Sequence, residues 1–120
     1  MYNVAVTESR PIKYILFDLD ETLYPRNTGL MRKIGQYIRE YIQLRLGLNG
    51  EQAQALRQEY YVKYGTSLRG LQINHNIDTE EFLAYVHDLQ LEKYIGHDPA
   101  LDRMLEDIPL DKVIFTNATE

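Results

Sequence analysis

The sequence predicts an α/β fold, a parallel-sheet core that is incomplete within this chain and is interrupted by a helical insertion. Three observations predict it. Two short apolar runs rich in β formers, residues 12–17 (IKYILF) and 113–115 (VIF), each end in a group of polar residues. Between them, apolar residues recur at helical rather than strand spacing. A helix start, Asp98-Pro99, with a capping side chain and proline at the first helical position, then leads into the second run. Two strands with matching polar ends suit neighbours in a parallel sheet, where ligands bind beyond the carboxyl ends.

Taken in order, residues 1–11 read as a tail or edge strand closed by Pro11. The length and composition of 12–17 suit a buried parallel strand, and Pro25 marks its end. Leu30, Ile34, Ile38 and Ile42 recur every four residues beside Tyr37 and Tyr41, which predicts a helix over 29–46. Gly47 is placed to end it. Asn49 with Gln52 resembles a capping box, and Ala53, Leu56 and Tyr60 mark the helix that follows. Gly65 and Gly70 bracket 66–69, a segment whose pattern predicts no geometry. Asp78 with Glu81 reads as another cap, with Phe82, Tyr85, Val86 and Leu89 as the packing face. Leu101, Met104, Leu105 and Ile108 supply the apolar face expected of the last helix, which Pro109 stops. Residues 116–120 read as a polar strand end and the first turn of a further helix. Residues 1–26 and 97–120 therefore form part of a core domain, and 27–96 form a helical cap. Two strands do not make a stable sheet. The chain accordingly reads as a fragment of a larger doubly wound domain, with sheet edges open to self-association.

Composition narrows the chemistry. At 44% hydrophobic and 26% charged, the chain is globular rather than disordered. A net charge of -5 without a Lys/Arg cluster argues against a nucleic acid polymer as partner. The absence of cysteine excludes disulfides, thiolate nucleophiles and thiolate-bound zinc. No apolar run is long enough to span a membrane, and the first ten residues lack the pattern of a secretory signal. The cytoplasm is the expected location. The 10 tyrosines, concentrated in the helical middle, are read as helix-packing residues or as a half-buried face toward a cleft or partner.

Asp18-Leu19-Asp20-Glu21-Thr22 follows the first apolar run directly. Carboxylates two residues apart at a strand end can divide labour, one as nucleophile and one as proton donor and acceptor. A divalent cation, with magnesium the best match to hard oxygen ligands, would relieve their repulsion and bind phosphate oxygens. The alternative is a solvated turn in which either aspartate caps a helix. Thr116 and Asn117 close the second run, where a hydroxyl and the following N–H groups are natural donors to a phosphate oxygen or an ordinary cap. Arg69, between glycines, is a weaker candidate for a substrate contact. His75, His87 and His97 are scattered and show no metal-ligand spacing.

Residues 15–23 (ILFDLDETL) resemble the first motif of the haloacid dehalogenase superfamily, four apolar residues then DxDxT. Residues 113–117 (VIFTN) resemble its second motif. Residues 23–25, 60–71 and 114–118 are similar to the pyrimidine 5'-nucleotidase branch, which carries a helical cap. The resemblance implies a Rossmannoid core and a phosphomonoester hydrolase working through an aspartyl-phosphate. Asp18 would be the nucleophile and Asp20 the acid and base. Thr22 would steady the loop, and Thr116, Asn117 and the Leu19 backbone would hold the phosphate. Mg2+ would sit on Asp18 and Asp20, touching the Asp18 carboxylate and the Asp20 backbone carbonyl. The substrate would be a small phosphorylated metabolite, with a pyrimidine nucleoside 5'-monophosphate as the branch's own suggestion.

The family's later lysine and acidic motif do not occur in these 120 residues, so the segment alone is expected to be inactive. Two other readings compete. A dehalogenase on the same scaffold would need neither the metal nor a second acid, so Asp20 favours phosphate chemistry. A truncated, non-catalytic module would use the tyrosine-rich helices as a binding surface.

Overall fold

The computed structural model describes residues 10–117. Residues 1–9 and 118–120 lie outside the described part, and with them most of the expected tail or edge strand and the last helical turn. The element order is β1 (Tyr14–Phe17), α1 (Leu30–Leu46), α2 (Gly50–Tyr64), α3 (Ser67–His75), α4 (Thr79–Val86), α5 (Pro99–Asp107) and β2 (Asp111–Ile114). Single 3-10 turns lie at Arg26–Thr28 and Leu91–Lys93. The chain divides into two compact units, with Arg26–Gly96 forming one and the residues on either side of that span forming the other.

The helical unit is built from capped amphipathic helices. α1 begins after Gly29 and stops at Gly47, which adopts a left-handed φ of 66° and donates its N–H to the Gln43 carbonyl at 3.0 Å. A side chain would strain that backbone, which is why glycine ends the helix. At α2 the capping box is complete. Asn49 Oδ1 accepts from the Gln52 N–H at 2.8 Å, and Gln52 Oε1 accepts from the Asn49 N–H at 3.0 Å. At α4 the reciprocal half is missing. Asp78 Oδ1 accepts from the N–H groups of Glu80 and Glu81, but the Glu81 carboxylate pairs with Arg45 of α1 instead of returning to the cap. α4 stops at Val86, so Leu89 lies past the helix and packs only half-buried.

The core of this unit is Tyr41, Ile42, Ala53, Tyr60, Leu71, Phe82 and Val86, with Ile34, Tyr37, Ile38 and Leu56 packed around it. Edge-to-face pairs run through it, Tyr41 with Phe82 at 5.1 Å and with Tyr85 at 5.5 Å between centroids. Tyr37, Tyr41, Tyr60, Tyr64 and Tyr85 thus serve helix packing, with ring edges set against ring faces. The segment at 66–69 opens α3, where Thr66 Oγ1 accepts from the Arg69 N–H. Gly70 belongs inside that helix because α2 passes so close. A Cβ at position 70 would stand 2.2 Å from Tyr60 Cγ.

In the other unit β1 and β2 pair in parallel, Tyr14 with Asp111 through Phe17 with Ile114. The ladder continues one step, with the Phe115 N–H donating to the Phe17 carbonyl at 2.8 Å. This mixed α/β arrangement, a small parallel sheet with helices, is consistent with part of a Rossmannoid core. The burial differs from the expectation for 12–17. β1 alternates exposed and half-buried, and β2 is exposed throughout. A parallel strand is buried only when both sheet faces are covered, and no residue of α5 is buried either. α5 itself starts as the sequence indicates, with Asp98 Oδ1 accepting from the N–H groups of Ala100 and Leu101.

Candidate active site

The site residues of the first motif lie in a turn at the carboxyl end of β1. Asp18 follows the last paired residue, Phe17. The Leu19 carbonyl accepts from the N–H groups of Thr22 at 3.2 Å and Leu23 at 3.1 Å, which folds 19–23 into one closed turn. Glu21 takes a left-handed φ of 57° within it, a conformation uncommon outside glycine.

That turn makes two side-chain hydrogen bonds of the same span. Thr22 Oγ1 donates to Asp18 Oδ2 at 2.8 Å, and the Tyr24 hydroxyl donates to Asp20 Oδ1 at 2.7 Å. Each aspartate therefore has one oxygen engaged by a hydroxyl four residues later. Asp18 and Thr22 are exposed, Asp20 is half-buried and Tyr24 is buried. Burial pushes the Tyr24 hydroxyl well above its ordinary range, and its bond to Asp20 and the Asp20 charge push the same way. The tyrosine thus stays a donor. The sequence pattern singled out Thr22 but not Tyr24, although the signal was there in the four-residue spacing from Asp20 just before Pro25.

Thr116 and Asn117 lie just past β2, both exposed. Because β1 and β2 are paired in parallel and the ladder runs to Phe17 and Phe115, Asp18 and Thr116 each follow the last ladder residue of their strand. The fold brings these two sets of residues to one end of one sheet. Leu19 contributes its carbonyl to the turn. Arg69 belongs to the helical unit, exposed on α3.

Among the described residues no group of three or more His, Asp or Glu is placed to hold a metal ion. Two carboxylates in one turn, each with one oxygen engaged, are nevertheless the donor chemistry that magnesium takes. That ion commonly binds one or two carboxylates, with water and substrate phosphate completing its shell.

The geometry is that of an acidic turn and a hydroxyl–amide pair at adjacent parallel strand ends. No protein-family model matches the chain. Over 115 residues it is 30% identical to Phosphate metabolism protein 8 of Saccharomyces cerevisiae, a match that takes in 88% of this chain and 36% of that protein. The chain therefore spans about a third of the length of that curated relative. The homology is distant. Among the described residues no helix is long and apolar enough to cross a membrane.

Proposed function

We propose that the chain carries the nucleophile-bearing part of a haloacid dehalogenase-like phosphomonoesterase acting on a small phosphorylated metabolite. The observation that carries this reading is the placement of Asp18 and Thr116 each directly after the last ladder residue of two paired parallel strands. The distant similarity to a phosphate metabolism protein supports it.

In this reading an Asp18 oxygen attacks phosphorus and the bond to the leaving oxygen breaks. Asp20 gives that oxygen a proton, then takes one from the water that cleaves the aspartyl-phosphate and restores Asp18. Thr22 holds the nucleophile's rotamer through its bond to Oδ2, and Tyr24 holds Asp20. Thr116, Asn117 and the Leu19 backbone hold phosphate oxygens. Mg2+ would be held by Asp18 and Asp20 and would supply charge neutralisation for the phosphate. Such transfer asks mainly for positioning and electrostatic support. By resemblance to the nucleotidase branch, the substrate is a pyrimidine nucleoside 5'-monophosphate, with the helical unit as the cap.

The test is phosphate release by the natural protein carrying this sequence, against a panel of phosphorylated metabolites with magnesium or chelator. Asp18→Asn should abolish turnover, and Asp20→Asn should slow it. Turnover that survives Asp18→Asn sinks the nucleophile assignment. A second reading, self-association through the sheet, is favoured by the exposure of Val113, Ile114 and Phe115. Light scattering that finds a monomer at all concentrations would remove it.

A further inference from the structure

The helical unit gathers positive charge that neither its packing nor the Asp18 turn uses. Arg32 and Arg39 of α1 and Arg57 of α2, with Gln36 and Gln54, line a cavity of about 220 Å³ between the two helices. Gly35 admits the third arginine, since a Cβ there would stand 3.0 Å from Arg57 Nη2. The Arg57 backbone is pinned as well, its carbonyl accepting from the buried Ser67 hydroxyl at 3.2 Å.

Elsewhere in this unit a helix arginine finds an acid, as Arg45 does in Glu81. Among the described residues none of these three guanidiniums has a carboxylate partner. No acid lines their cavity, and Met31 is its one apolar wall. Converging like charges oppose helix pairing, so the cluster is not explained by stability. In a chain of net charge -5 it is a local reversal of sign. The adjoining depression, which shares Arg39 and Gln54, carries Glu51, so an anion would seat at the Arg57 end.

We propose that this groove binds a small, multiply charged phosphate, inorganic diphosphate or the diphosphate end of a nucleotide. Guanidinium forks pair bidentately with phosphate oxygens, and the two glutamine amides supply neutral donors beside them. The narrow, polar cavity suits the phosphates rather than an apolar body.

Isothermal titration of the chain with sodium diphosphate, in chelator and at physiological salt, tests it. Saturable 1:1 binding is expected, weakened about tenfold by Arg32→Gln or Arg39→Gln and unchanged by Arg103→Gln on α5. Both groove variants are at exposed positions, so folding is preserved, and circular dichroism checks this. A nucleoside diphosphate binding as tightly as diphosphate, or more tightly, supports the site and shows whether the organic part adds contacts. Affinity that survives both groove substitutions, falls equally with Arg103→Gln, or never saturates overturns it.

Discussion

The Tyr24 hydroxyl donates to Asp20 Oδ1 at 2.7 Å, joining a buried ring to a carboxylate in the turn after β1. Asp20 is thereby tied to the protein interior, whereas the partner of Asp18 among the described residues is the exposed Thr22 hydroxyl.

Tyr24→Phe keeps the ring and removes that donor. A hydrogen bond to a charged group contributes roughly 1.5–3 kcal/mol, and half-exposure of Asp20 places the loss at the lower end. Urea unfolding followed by amide NMR signals of residues 14–24 should show it. Burial of the Tyr24 hydroxyl, and after it this bond, also gives the residue a pH signature. The fold favours the protonated hydroxyl, whose pKa is raised above 10.0. Its contribution is therefore complete below pH 10 and is lost as pH climbs through the raised value. Wild type should lose stability in that alkaline range more steeply than Tyr24→Phe, measured as unfolding free energy against pH.

Thr22→Ala should slow turnover of the natural protein about fivefold, the kinetic equivalent of roughly 1 kcal/mol for one solvent-exposed hydrogen bond. Thr22→Ser, which keeps the donor, should restore most of the rate. Equal rates in the alanine and serine variants would show that the threonine methyl, rather than its hydroxyl, is what matters.

Gly70→Ala places a Cβ 2.2 Å from Tyr60 Cγ, in the ring's own carbon skeleton rather than at a flexible tip. Overpacking of this kind costs about 1–3 kcal/mol, well beyond the gain in helix propensity from alanine. Gly96→Ala, which meets nothing within 4 Å, should stay within about 0.5 kcal/mol of wild type. Chemical denaturation followed by far-UV circular dichroism distinguishes the two.

Asn49→Ala removes the side-chain half of the α2 capping box, the Oδ1 acceptor of the Gln52 N–H, while the backbone N–H at 49 can still donate to Gln52 Oε1. It should lower stability by about 1 kcal/mol. Asn49→Ser should recover most of it. Fraying should be visible as faster amide exchange at Gln52, whose N–H loses its acceptor.

These effects sit on features of very different legibility. The bounds of α1, the α2 cap and the Asp98 cap were readable because each depends on neighbours in the chain: apolar spacing, a terminal glycine, a side chain reaching two or three residues on. α3 was hidden because its glycine answers to Tyr60, a residue of another helix. Glu81 has the spacing of half a cap, but its carboxylate pairs with Arg45, a residue distant in the chain. Strand exposure escaped for the same reason, since burial depends on what covers a sheet and an apolar run does not encode that. At the candidate site, the order of acids and hydroxyls was plain in the motif residues. The tie from Tyr24 to Asp20 leaves only a faint trace, a four-residue spacing that by itself does not tell a positioning tyrosine from a packing one.

The register that sets Tyr14 beside Asp111 also bears on how the molecule assembles in time. Those partners are separated by the entire helical unit, whereas the contacts of α1 to α4 fall between Arg26 and Gly96. Ring closure over so long a span must be met before the first ladder bond forms, and non-local pairing of this sort is slow. The helical unit is therefore expected to reach its native packing first and to shorten the search for the strands. The Asp18 turn and the Thr116 strand end would come together last, so no competent site would exist until the final folding step.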